Sequence, residues 1–198
     1  MLRTHLRLPL PMVIGALLGL SGLPAPVHAQ TDGLRVAAEV SLRVGATRVA
    51  GASRTVVGGG ASLLLGDRFS LGGAGFGLTR TVGLGADADA LDLRVGYGGV
   101  DMAWILASSR RLSVSGALLV GAGNGEVRSA ATGAELGFDN FLVFEPGLRL
   151  GLVVAGPVRL DLRAGYRWTT GVGDLPSVDG DDLEGYMADV GLTVGHRR

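Results

Sequence analysis

The chain has 198 residues, with 18 arginines, no lysine, 18 acidic residues and three histidines, so its formal charge is zero. That length allows one domain plus a targeting segment, and balanced charge without a basic run excludes a nucleic-acid partner. The absence of cysteine excludes disulfides, thiolate metal sites and a lipidated cysteine, while 35 glycines without a Gly-X-Y period, beside 47% hydrophobic residues, exclude collagen and a disordered chain.

Residues 1–29 read as a cleaved secretory signal peptide. Arg3 and Arg7 form its positive start, Met12 to Leu23 its apolar run, and Val27-His28-Ala29 a small-residue cleavage site before Gln30. The apolar run is about 12 residues, short of the ~20 a spanning helix needs. Residues 30–198 are then one domain, carrying 16 arginines against 18 acids.

Strict alternation of apolar and polar residues predicts strands rather than helices throughout that domain. Residues 34–44 place Leu34, Val36, Ala38, Val40, Leu42 and Val44 on one face, with Arg35, Glu39, Ser41 and Arg43 on the other. Residues 55–65 and 69–79 are Gly-rich strands. In 90–107, Leu91, Leu93, Val95 and Tyr97 alternate, then Val100, Met102, Trp104 and Leu106, with the phase flipping at Gly98-Gly99. A β-bulge there would restore one apolar face and gather Asp92, Arg94 and Asp101 on the polar side. Strands over 112–122, 140–154, 158–168 and 184–194 follow; 158–168 is a clear case, with Val158, Leu160, Leu162, Ala164, Tyr166 and Trp168 opposite Arg159, Asp161, Arg163, Gly165 and Arg167.

The eight strands are joined by connections that alternate in length. Those at 66–68, 108–111 and 155–157 are tight; those at 45–54, 80–89, 123–139 and 169–183 are longer and more polar. This predicts an all-β, eight-stranded antiparallel up-and-down transmembrane β-barrel, with short periplasmic turns and longer external loops. The signal peptide supplies export to the outer membrane. A soluble lipocalin-like barrel carrying a small apolar ligand in the periplasm is the alternative, with the two faces exchanged. Sparse charge on the polar face and aromatics near strand ends favour the membrane arrangement: Phe144, Trp168 and Tyr186 toward the long loops, Trp104 toward a short turn, as a girdle.

A barrel of eight strands has an interior that side chains fill, so charges placed there must pair. The inward set would be Arg35, Arg43, Arg94, Arg149, Arg159, Arg163 and Arg167 against Glu39, Asp92, Asp101, Glu145, Asp161 and Asp189. The expectation is a salt-bridged closed interior, with the Gly-rich second and third strands leaving room for long guanidinium arms from across the barrel.

Catalysis is poorly served. The only histidine after the signal is His196, near the chain end, so no Ser-His-Asp arrangement fits within the barrel. A phosphate-binding loop needs a lysine, and Gly121-Ala122-Gly123-Asn124-Gly125 is followed by no helix. Asp174, Asp179, Asp181, Asp182 and Glu184 in the last long loop raise calcium as a question, but their spacing does not match the helix–loop–helix pattern. The sequence therefore predicts neither an enzyme nor a cofactor or metal site.

The segments LRVGYGGVDMAWIL (93–106), FLVFEPGLRLGL (141–152), LRAGYRWTTGV (162–172) and DLEGYMADVGLTVG (182–195) resemble uncharacterised small outer-membrane β-barrel proteins of Gram-negative bacteria, of the eight-stranded OmpA/OmpX-like architecture. The likeness runs over most of residues 30–198. Such barrels end on an aromatic residue, whereas this chain ends Gly195-His196-Arg197-Arg198. The resemblance implies a fold and not an activity. The functional expectation is a non-enzymatic, monomeric barrel surrounded by outer-membrane lipid, with a structural or surface-interaction role. Any extracellular ligand would meet the loops at 123–139 and 169–183.

Overall fold

In the computed structural model, the described residues are 36–66, 68–79, 82–84, 91–173 and 175–195. Residues 1–29, read from the sequence as a signal peptide, lie outside them, as do Arg35, Asp174 and His196. The strands are β1 (Val36–Val49), β2 (Ala52–Leu65), β3 (Phe69–Leu78), β4 (Val82–Leu84), β5 (Leu91–Ser108), β6 (Leu112–Ser129), β7 (Glu135–Ala155), β8 (Val158–Thr170) and β9 (Gly185–Gly195), with a single helical turn, α1 (Gly180–Leu183), before the last. Apart from β3 and β4, which both pair with β5, each strand pairs antiparallel with its chain neighbours, and β1 pairs with β9. The ring closes through β3 and β5, from Phe69↔Trp104 to Gly77↔Gly96. The short β4 continues the line of β3 along the loop end of β5. Counting β3 and β4 as one, eight antiparallel strands form the barrel.

Side chains alternate in and out along the strands, as the two-residue period requires, with register irregularities at Ile105/Ala107, Val127/Arg128 and Val153/Ala155. In β9, Met187, Asp189, Gly191 and Thr193 are buried while Tyr186, Val190, Leu192 and Val194 face out. Bending eight strands into so narrow a ring crowds inward Cβ atoms against the next strand. Gly99 and Gly121 meet this cross-strand: a Cβ on Gly121 would lie 2.1 Å from the Gly98 carbonyl, and one on Gly99 2.2 Å from that of Val120.

Two of the long connections are shorter than the sequence suggests. β1 and β2 run on to a two-residue turn at Ala50-Gly51, both with positive φ (48° and 73°), which suits the right-handed twist of a hairpin. β6 and β7 likewise continue to 129 and 135, leaving only 130–134 as the tip. These stretches read as loops because polarity marks them, yet above a bilayer a strand meets water on its outer face and needs no apolar alternation there.

The same physics corrects the reading of β5. Its register with β6 is unbroken from Leu91↔Ser129 to Ile105↔Ser115, so Gly98-Gly99 is no bulge; the one irregularity lies between Ile105 and Ala107. Leu93, Val95 and Tyr97 therefore point inward and are buried, in phase with Asp101, Ala103 and Ile105. The phase flip in the sequence marks a change of surroundings: apolar residues go outward where lipid lies outside, and inward where water does.

Candidate functional site: a two-tier interior and a folded-in loop

The outer wall is apolar. Leu42, Leu63, Leu106, Leu142, Leu148, Leu162, Leu192 and Val194 are all about half exposed or more. The four residues assigned to the girdle, Trp104, Phe144, Trp168 and Tyr186, are exposed on this wall. Toward the loops, Tyr166 joins them, its ring 4.9 Å from Trp168 and 5.1 Å from Tyr186, with Phe144 5.9 Å from Trp168. Toward the turns, Phe69 lies 6.0 Å from Trp104. From Val158 to Trp168 the wall of β8 rises about 25 Å along the axis, taking ~3.3 Å per residue and ~40° of tilt, against an apolar band of ~25 Å in membrane barrels.

Inside, the turn-side tier is ionic. Arg159 forks onto Glu39, 2.9 Å from Oε1 and 3.2 Å from Oε2, while its Nε donates to Asp161 at 2.7 Å. Thr193 donates to the other Asp161 oxygen at 2.5 Å. Above this layer Asp101 is a hub. Its Oδ2 accepts from Arg149 at 2.8 Å and Arg43 at 3.4 Å, and Arg163 stands 4.0 Å from Oδ1. Arg163 also pairs with Glu145 at 2.9 Å, and the Tyr97 hydroxyl donates to Glu145 at 3.1 Å. Asp189, paired across the strands with Arg163, sits in the field of Arg43, Arg163 and Arg149. Five buried arginines (Arg43, Arg149, Arg159, Arg163, Arg167) thus face five buried acids (Glu39, Asp101, Glu145, Asp161, Asp189) inside the described barrel. Balance of this kind matters because an unpartnered ion there costs several kcal/mol. The recess left among Glu39, Ser41, Arg43, Ser62, Arg149, Arg159 and Thr193 has room for about one water.

Ser62 of the Gly-rich β2 lines the same recess as Arg149 and Arg159, while the ion pairs themselves run to acids on other strands. Arg149 on β7 and Asp101 on β5, like Arg159 on β8 and Glu39 on β1, each bridge one intervening strand. Inward space beside Gly58 is taken instead by Phe76, whose ring would lie 2.4 Å from an added Cβ.

Asp92 and Arg94 stand elsewhere than expected. Both lie on the outer face of β5, Arg94 exposed and Asp92 half-buried, because they are out of phase with buried Leu93. Their cross-strand neighbours on β6 are Arg128 and Glu126, which form an ion pair at 2.6 Å. This charged ladder stands beyond the girdle with Arg94 exposed and Glu126 buried beneath its partner, and Glu126 holds the Arg128 guanidinium above its ordinary pKa. The available signal was that Ala103 and Ile105 keep the phase of Leu93, Val95 and Tyr97 across the two glycines.

The loop-side tier is apolar, and here sequence reading missed most of the participants. Val49, Phe76, Leu93, Val95, Tyr97, Leu119, Val127, Phe141 and Val143 line it. The connection after β8 folds into this cup, burying Leu175, Val178 and Leu183. Their spacing within an otherwise acidic loop was the sequence clue. Backbone and side-chain bonds hold the fold-in: Ala50 N donates to Asp182 O at 2.7 Å, Thr169 Oγ1 to Gly180 O at 2.9 Å, and Arg167 Nε to Leu183 O at 2.9 Å. Arg167 joins the two tiers, since it also donates to Thr47 at 3.0 Å and lies 4.9 Å over the Tyr97 ring. The loop carboxylates serve locally: Asp179 and Asp182 cap α1, and Glu184 accepts from Thr169 N. Among the described residues, no three metal-ligating side chains converge.

No family model matches the chain, and no curated protein does. Among solved structures, the N-terminal β-barrel domain of Pseudomonas aeruginosa OprF is similar over 81% of this chain and 97% of its own, with a TM-score of 0.50 and 12% identity. Neisserial surface protein A aligns over 84% of this chain and all of its own, with a TM-score of 0.52 and 10% identity. The fold is that of the small outer-membrane β-barrels. A major outer membrane protein of Thermus thermophilus gives a further likeness, covering 80% of this chain and 99% of that one, at a TM-score of 0.50 and 10% identity.

Proposed function

We propose that this chain is a non-enzymatic, monomeric protein of the outer membrane, exported by a cleaved signal peptide, whose interior is closed to ions and whose role is structural or exercised through its external surface. The observation that carries the reading is the inversion of the barrel: Leu42, Leu148, Leu162 and Trp168 outside, Glu145, Asp161 and Arg163 nearly inaccessible inside. A soluble carrier of an apolar ligand would need the opposite facing. Two tiers support closure, one ionic and one formed by Leu175, Val178 and Leu183 against the wall. The surface available to a partner is the β6–β7 tip, the charged residues Asp92, Arg94 and Arg128, and the outer side of the last loop. Two measurements test this reading together. Refolded protein should migrate faster unboiled than boiled on SDS gels, and should give no steady conductance in planar lipid bilayers. A soluble, non-shifting protein sinks the membrane assignment; a large steady conductance sinks the closed interior.

A further inference from the structure

At the turn end, the described exposed charges are of one sign. Arg68 in the β2–β3 turn and Arg110 and Arg111 in the β5–β6 turn are exposed, and no described acid at that end is. Across the three turn sequences, the only acid is Asp67. The loop end is different, with Glu135, Asp179 and Asp181 exposed beside Arg48 and Arg94.

The arginines also stand at a defined depth. Phe69 and Trp104 form the turn-side aromatic pair on the outer wall, where such rings mark the hydrocarbon boundary. Arg68 immediately precedes Phe69, and its carbonyl accepts from Ile105 N at 2.8 Å, which fixes it one residue beyond Trp104. Arg111 is pinned in the same way, its carbonyl accepting from Val153 N at 2.8 Å, just past the exposed Leu112 and Leu152 of the belt. One residue of strand is about 3.3 Å, and the headgroup region on each side of a bilayer is roughly 5–7 Å thick. Arginine stems can lie along apolar surface while the guanidinium reaches outward. These groups therefore fall at the level of lipid phosphates, and guanidinium is suited to them by planar, paired hydrogen bonding.

We propose that Arg68, Arg110 and Arg111 form a basic collar that binds anionic phospholipid headgroups of the leaflet facing the short turns. The proposal rests on the membrane reading above and adds to it a lipid class and a leaflet. The collar selects anionic over zwitterionic lipid on that side of the barrel.

The chain has two tryptophans, Trp104 at the turn end and Trp168 at the loop end, so each can report on one leaflet. The protein carrying Trp168→Phe leaves Trp104 as sole fluorophore; Trp104→Phe leaves Trp168. Each is refolded into phosphatidylcholine vesicles containing either brominated phosphatidylglycerol or brominated phosphatidylcholine as quencher, at low salt. A cation near an anionic surface contributes about 1 kcal/mol, so phosphatidylglycerol should be enriched about fivefold beside Trp104. In the triple variant R68Q/R110Q/R111Q that preference should fall to near one, while quenching of Trp168 stays unchanged. Equal quenching of Trp104 by the two lipids in the parent protein, or an enrichment that survives the triple variant, overturns the collar alone. Absence of quenching by either brominated lipid would overturn the membrane reading itself, and the collar with it.

Discussion

Asp101→Asn is the most informative single perturbation of the interior. The carboxylate accepts from Arg149 and Arg43 and stands 4.0 Å from Arg163, with its side chain nearly inaccessible. Neutralising it leaves three guanidinium groups without their common counter-ion, and the recess beside two of them, Arg43 and Arg149, has room for about one water. Breaking a buried pair by removing one partner costs about 3–5 kcal/mol. Asp189 lies in the field of the same three arginines and can take up part of that charge, which sets the expectation at the lower end, about 3 kcal/mol. The assay is urea unfolding of the protein in lipid vesicles, followed by tryptophan fluorescence and by the gel shift. The midpoint should fall while the slope stays constant. Asp101→Asn combined with Arg149→Met should cost less than the sum of the two, because each removes what the other leaves stranded. A loss under 1 kcal/mol for Asp101→Asn, or strict additivity in the double variant, would refute the idea that the hub is held by mutual charge compensation.

Asp92→Asn and Arg94→Gln test the phase of β5: on the outer wall above the girdle each should change stability by no more than about 0.5 kcal/mol, whereas an interior position would give several times that in the same unfolding assay. Gly121→Val should abolish the heat-shifted form, since its Cβ would lie 2.1 Å from the Gly98 carbonyl; Gly116→Ala, with open space around its Cβ, should fold normally. Leu183→Ala should cost about 2–5 kcal/mol by leaving a cavity in the loop-side tier and should speed proteolysis between 171 and 184. Replacing the exposed tip 130–134 with another short turn should do neither, as read by unfolding midpoint and limited digestion.

The interior network was legible wherever it sat within the bilayer. Glu39, Arg43, Glu145, Arg149, Arg159, Asp161, Arg163, Arg167 and Asp189 alternate with outward apolar residues, and a two-residue period places them on one face without any knowledge of partners. Asp92 and Arg94 were misplaced for the same reason. Alternation identifies which residues share a face, but the rule that apolar means outward holds only where lipid is outside. Above the bilayer that rule reverses, and Leu93, Val95 and Tyr97 go in. The loop core was harder still, because Leu175, Val178 and Leu183 have no strand period to mark them, and what buries them is a cup contributed by several different strands.

By itself, then, the sequence determined the strand class, the number of strands around the ring, the tight turns at 66–68, 108–111 and 155–157, and the pairing of an apolar face with a charged one. These are local properties, set by side-chain period and turn chemistry within stretches of about ten residues. Only the tertiary structure decided which arginine meets which acid, since Arg159 and Glu39 are 120 residues apart and ring closure alone brings β1 beside β9. It also decided where the interior changes from ionic to apolar. That boundary depends on how far each strand rises past the girdle and on a loop folding back into the mouth, neither of which is written in any single segment of the chain.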